Sequence, residues 1–148
     1  MEHPEITFNE DGNVVSIWVG SFRTEQELAS YVEPFYSAEP ETDDLPISAF
    51  ADDIGLSHYD EDFLESVFDP SWARNPEKMF EGCSYSTSYR VAALEAAQRI
   101  APGPLDSVLL LLGYDHTRYP QFEKRPTRVV FLGSFAYDPL SDPLSDGA

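Results

Sequence analysis

The ten residues 13–22, NVVSIWVGSF, constrain the fold more than any other stretch. They are β-branched and aromatic, which suits a strand. Val15, Ile17 and Val19 alternate with Val14, Ser16 and Trp18, so both faces of that strand are largely apolar. A strand with one wet face alternates apolar with polar; this one does not, which places it inside a sheet. Two further segments read as strands: 106–116, DSVLLLLGYDH, and 127–138, TRVVFLGSFAYD. The residues between them are long enough for an antiparallel return.

Helices announce themselves by caps and spacing. In TEQELASYVEPFY (24–36), Thr24 and Glu27 form a capping box, and Leu28, Tyr31, Val32 and Phe35 recur at helical spacing. Pro34 ends that helix near Val32 or Glu33. SYSTSYRVAALEAAQRI (84–100) is the longest helix, with Tyr89, Ala93, Ala96, Ala97 and Ile100 on one face and APGP as its stop. DEDFLESVF (60–68) reads as a helix opening at Asp60, with Phe63, Leu64, Val67 and Phe68 as its buried stripe. ISAFADDIGL (47–56) reads as a short strand or an irregular segment. These pieces predict an α+β fold: a small, mostly antiparallel sheet with about three helices packed mainly on one face.

At 148 residues, 42% of them hydrophobic, the chain has the material for one domain with a real core. That domain is expected over residues 1–138. The tail 139–148 repeats PLSD twice and is expected to be a flexible terminus. No apolar run approaches the roughly 20 residues of a membrane span. The N-terminus lacks the basic flank and apolar stretch of a signal peptide. A single cysteine, Cys83, excludes an internal disulfide framework. A cytoplasmic location is the expectation.

The formal net charge is −18, and it is lopsided. Residues 1–73 hold 18 Asp and Glu and one cation, Arg23, whereas residues 74–148 hold 9 Asp and Glu and 8 Lys and Arg. Such a field repels nucleic acid and anionic membrane, and it speeds association with a basic protein.

The acids are densest in FADDIGLSHYDEDFLESVF (50–68), where Asp52, Asp53, Asp60, Glu61, Asp62 and Glu65 have no Lys or Arg among them. A metal site or a hydrolase using Asp60, Asp62 and Glu65, with His58 nearby, is one reading. Calcium-loop spacing is missing, and Phe63 and Leu64 follow at once. Cys83 precedes a helix, where a thiol can be activated, but a lone cysteine is more often a small buried hydrophobe. Glycine is scarce and no phosphate-binding loop is present, so no cofactor is expected. Helix capping accounts for Asp60, Glu61 and Asp62 in a first turn. It leaves Asp52, Asp53 and Glu65, which with Tyr59 suit a surface for a basic partner; a nucleic-acid mimic or acidic adaptor would use the same surface.

The segments VSIWVGSF, TEQELASYVEPFY, ISAFADDIGLSHYDEDFLE and GCSYSTSY, in this order over roughly residues 14–114, resemble the immunity protein 22 family of bacterial polymorphic toxin systems. The resemblance implies a non-enzymatic α+β protein that binds and neutralises a cognate toxin domain, often a nuclease. Matching positions are Trp18, Gly20, Phe22, Phe50, Asp53, Tyr59, Asp60, Asp62, Phe63, Glu65 and Ser84. The expected contact set is therefore Asp52, Asp53, Tyr59, Asp60, Glu61, Asp62 and Glu65, with no metal and no catalytic residue.

Overall fold

The computed structural model describes residues 13–33, 48–54, 63–100, 103–118 and 129–138. Along the chain these form β1 (Val14–Gly20), α1 (Glu25–Val32), α2 (Ala49–Ile54), β2 (Leu64–Phe68), α3 (Ser86–Ile100), β3 (Ser107–Leu112) and β4 (Val129–Ala136). Short 3-10 turns cover Pro70–Ala73, Pro76–Lys78 and His116–Arg118. The strands make one open sheet in the order β2-β3-β1-β4, and every pairing is antiparallel. The α+β class, the antiparallel sheet and the number of helices are as the sequence predicts.

β1 lies inside the sheet, as its two apolar faces require. Val15, Ile17 and Val19 are fully buried on one side and Trp18 on the other. β3 and β4 both pair with β1, one on each side. They therefore run parallel to each other and are not returned onto one another, because β1 offers each of them a hydrogen-bonding edge.

Two of the three helices share one face of the sheet and the third covers the other. α1 and α2 cover the Trp18 side, where Phe22, Leu28, Tyr31, Phe50, Ile54, Leu109 and Leu111 close one core. α3 and the 3-10 turns cover the other side, where Val15, Ile17, Val19, Trp72, Met79, Tyr89, Ala93, Val108 and Leu110 close a second. A strand apolar on both faces needs a cover on each, since leaving either in water forfeits roughly 25 cal/mol per Å² of apolar surface.

Two local assignments also change. Leu64–Phe68 is an edge strand, not part of a helix opening at Asp60. The pattern of Phe63, Leu64, Val67 and Phe68 is ambiguous over so short a run. The free edge of β3 decides it: Leu64 pairs with Leu111 and Phe68 with Ser107. Residues 49–54, read as a strand or irregular, are helical. Ser48 caps them, its Oγ accepting from the Ala51 N–H at 3.0 Å. α1 matches its prediction: Thr24 accepts from the Glu27 N–H at 3.1 Å, and the helix ends at Val32 with Glu33 extended before Pro34. α3 matches too, except that Ile100 is 42% exposed.

One carboxylate pins the end of the sheet where β1 stops and β3 starts. Asp106 accepts from the Phe22 N–H at 2.8 Å and the Arg23 N–H at 2.9 Å. Its own N–H donates to the Gly20 carbonyl, and its carbonyl accepts from the Asp69 N–H. This holds Arg23 in a left-handed backbone (φ 75°) that a bulky residue does not adopt unaided. The chain thereby turns from β1 into α1. Asp106→Ala strands two backbone donors, each costing about 1–3 kcal/mol where buried. The variant should lower the urea midpoint by an amount corresponding to roughly 2–4 kcal/mol, with the slope of the transition unchanged.

Candidate functional site

The structure sorts the charges by face. On the α1–α2 side, the described segments 13–33 and 48–54 carry Glu25, Glu27, Glu33, Asp52 and Asp53 against one cation, Arg23. On the α3 side, residues 69–100 carry Asp69, Glu77, Glu81 and Glu95 against Arg74, Lys78, Arg90 and Arg99. Among these segments the first side is strongly acidic, and the second, which Glu65 also joins, is close to balanced.

Glu25, Glu27 and Glu33 are exposed on α1. They face water because Leu28 and Tyr31 turn the other side of the helix into the core. Glu25 and Glu27 also sit in the first turn, where the helix dipole favours negative charge. Asp52 and Asp53 are half-buried on α2. Asp53 is tied to the neighbouring helix, its Oδ2 accepting from the Tyr31 hydroxyl at 2.6 Å. Between α1 and the edge strand β2 runs a groove of about 450 Å³, lined by Gln26, Ala29, Ser30, Val32, Glu33, Leu64 and Ser66. It gives the acidic side a concave part.

Glu65 is not on this surface. β2 alternates, so Leu64 and Phe68 pack with the Trp18 core while Val67 packs with the opposite one. Glu65 shares the Val67 face, and its Oε2 accepts from the Ser84 N–H at 3.0 Å. The sheet thus separates Glu65 from Asp52 and Asp53. Tyr59, Asp60, Glu61 and Asp62 lie outside the described residues. Of the triad Asp60, Asp62 and Glu65, then, the one described member is holding a backbone turn. Among the described residues no group of three or more His, Cys, Asp or Glu side chains is placed to hold a metal ion.

The Ser84 turn is built for packing. Its flanks, Phe80 (φ 79°) and Tyr85 (φ 60°), both take left-handed backbone. The Cys83 N–H donates to the Phe80 carbonyl and the Ser86 N–H to the Cys83 carbonyl. The Tyr89 hydroxyl donates to the Ser84 carbonyl at 2.7 Å. Cys83 is fully buried, and its thiol is pushed up to about 12, first by burial and then by the Glu65 charge. The same two influences, with Cys83 itself, raise the Tyr89 phenol. A thiol held neutral under the protein surface is not an activated nucleophile.

Trp18 packs rather than binds. It is 1% exposed, edge-on to Phe50 and His116 at 5.1 Å. Its Nε1 has no hydrogen-bond partner among the described residues.

Sequence reasoning singles out the acids of 50–68 and misses Glu25, Glu27 and Glu33. The signal for them is a capped helix whose polar face holds three acids and no cation. Of the chain, residues 15–138 match the family described as immunity protein 22. No curated protein and no solved structure matches it.

The Cys83 environment predicts a pH dependence. The folded thiol stays neutral up to about 12, whereas the unfolded thiol ionises near 9.0. The unfolded state therefore loses its proton first as pH rises. Stability from this group is complete below pH 9 and is lost between pH 9 and about 12. Denaturation midpoints should fall over that window, and less steeply in Cys83→Ala. At pH 8 iodoacetamide should modify Cys83 in urea but not in the native protein.

Proposed function

The chain belongs to the immunity protein 22 family and is an immunity protein, and we propose that it holds its cognate toxin domain against the acidic side built by α1 and α2. Family membership points to a binding role rather than a catalytic one. What supports this surface is the segregation of charge among the described segments: five carboxylates and one cation on the α1–α2 side, against five carboxylates, Glu65 included, and four cations on the α3 side.

A toxin that grips phosphates needs a basic groove, and a nuclease is the partner such a surface fits. The exposed α1 carboxylates would set the rate of encounter, since complementary fields raise association by one to three orders of magnitude at low salt. Lasting affinity needs desolvated anchors, and the groove between α1 and β2 offers Val32 and Leu64 to an apolar side chain of the toxin. Tyr59, Asp60, Glu61 and Asp62 belong to the same proposal through their place in sequence between α2 and β2. The negative charge that would attract the toxin disfavours nucleic acid and anionic membrane as partners, and it suits a protein acting in the cytoplasm on a toxin from kin or from the same cell.

Glu25→Lys combined with Glu33→Lys should slow association with the cognate toxin domain by about 10-fold or more at low salt and flatten its salt dependence. The dissociation rate should change little. Glu65→Lys, on the other face, should destabilise the Ser84 turn without this kinetic signature. Stopped-flow mixing across a salt series reads both. An unchanged association rate in the double variant at low salt would sink the acidic-side proposal.

A further inference from the structure

The sheet has two outer strands, β2 and β4. β4 is interrupted: its register against β1 shifts between Ile17 and Trp18, so that Ile17 faces Gly133 and Trp18 faces Phe131. A bulge of this kind turns an edge away from further pairing. β2 is regular over Leu64–Phe68 and contains no proline, lysine or bulge. Its ladder fixes which way its backbone points. The Asp69 N–H donates to the Asp106 carbonyl at 2.8 Å, one step beyond the Phe68–Ser107 pair. Antiparallel bonding alternates, so Glu65 and Val67 turn their N–H and C=O groups to β3, while Leu64, Ser66 and Phe68 turn theirs outward. Among the described residues no strand pairs with that outward row.

The groove of about 450 Å³ runs beside this same edge. Leu64 packs toward α1, and Ser66, two residues on, shares its face and is exposed. Across from them Gln26, Ala29, Ser30 and Glu33, at helical spacing, form the wall that α1 contributes. Ala29 and Ser30 are short and leave room for an incoming side chain. Glu33 is the one charged residue of the lining, and no cation offsets it there. The five residues of β2 span about 16 Å and the eight of α1 about 12 Å. Four or five residues of extended chain therefore fill the site. Outward backbone groups, space for side chains and a carboxylate coincide at one edge.

We propose that the cognate toxin domain lays an extended basic segment along β2, adding a fifth strand to the four-stranded sheet. This placement rests on the toxin being held at the α1–α2 side. Strand addition takes its affinity from main-chain bonds and its specificity from alternate side chains. The toxin residues opposite Leu64 and Ser66 point into the groove. One is apolar and packs on Leu64 and Val32; the other is a lysine or arginine that reaches Glu33. Glu25 and Glu27 on the same helix favour a basic segment and repel an acidic one, so a second copy of this chain, at net charge −18, is a poor occupant. All parts of the site are on β2 and α1, within the family match at 15–138; the tail 139–148 lies outside that match and outside the described residues.

Amide hydrogen exchange in the ¹⁵N-labelled full chain reads the pairing directly. Adding the catalytically inactivated cognate toxin domain should slow exchange at Leu64, Ser66 and Phe68 by about 100-fold or more. The amides of Glu65 and Val67, already bonded to β3, should be slow with and without it. Ser66→Pro removes one outward donor and keeps the ladder to β3, since an edge strand accepts proline where its N–H faces out. It should speed dissociation of the toxin domain by about 10-fold or more. Should that variant fail to fold, the exchange measurement on the unaltered chain still decides. Fast exchange at the three outward amides in the complex, or an unchanged dissociation rate in folded Ser66→Pro, overturns strand addition. If Glu25→Lys with Glu33→Lys nonetheless slows association, the toxin is held on the acidic side by side chains alone. If that double variant associates at an unchanged rate, the acidic side is not where the toxin is held, and the placement on β2 falls with it.

Discussion

The constraint on which the rest depends is that β1 has no face to give to water. Val15, Ile17 and Val19 on one side and Ser16 and Trp18 on the other are all at most 1% exposed. A strand of that kind needs neighbours on both edges and layers on both faces. β3 and β4 supply the edges; α1 with α2, and α3 with the 3-10 turns, supply the layers. Ser16, the polar residue among them, is admitted because its hydroxyl is fully used: it donates to the Tyr114 carbonyl at 2.7 Å and accepts from the His116 N–H at 2.8 Å. That pair of bonds also seats the His116 turn beneath Trp18 and Phe131, so the one polar residue in the strand positions the aromatic core beside it.

The two apolar faces of β1 are legible in the sequence, and so are most of their neighbours. Apolar runs, β-branched in β1 and leucine-rich in β3, mark three of the four strands, and the Thr24 cap with Pro34 marks α1 at both ends. The layers are where pattern alone falls short. Each helix shows its own apolar stripe but not which face of the sheet it covers, and only a central strand apolar on both faces demands one layer on each. The two segments whose assignment changes do so for different reasons. Six residues are too few for a helical period to show in α2, although Ser48, three residues before Ala51, has the spacing of a cap. In Leu64–Phe68 the apolar positions fit either period, and only the pairing with β3, which is some 40 residues away in the chain, settles it.

The same register explains why the acidic stretch does not form one surface. Asp52, Asp53 and Glu65 are close in sequence, but α2 lies on one face and Glu65 points to the other. In a strand, one residue decides the face. A helix over this segment would gather its carboxylates; the strand gives Leu64 to one core and sends Glu65 with Val67 to the opposite one. Carboxylates that the fold already uses can be told apart by their donors: Asp106 by the Phe22 and Arg23 N–H groups, Glu65 by the Ser84 N–H, Asp53 by the Tyr31 hydroxyl. Removing any of these would disturb the fold as well as the surface, whereas Glu25 and Glu33 stand exposed on α1.

Two layers of helix on a sheet also govern how far each side's charge is felt. Cations do occur in the second half of the chain, and a simple count would have them offset part of the acid. Four of them, Arg74, Lys78, Arg90 and Arg99, are on α3 and the turns beside it, across the sheet from α1. Helices are about 10–12 Å in diameter, so outward-facing charges on the two sides are separated by well over the roughly 8 Å at which physiological salt screens exposed charge. Arg74, Lys78, Arg90 and Arg99 are thus poorly placed to neutralise Glu25, Glu27 and Glu33. A partner approaching α1 meets the local acid rather than the molecular average. Among the described residues the charge asymmetry is one between faces, because β1, covered on both sides, keeps the two helical layers apart.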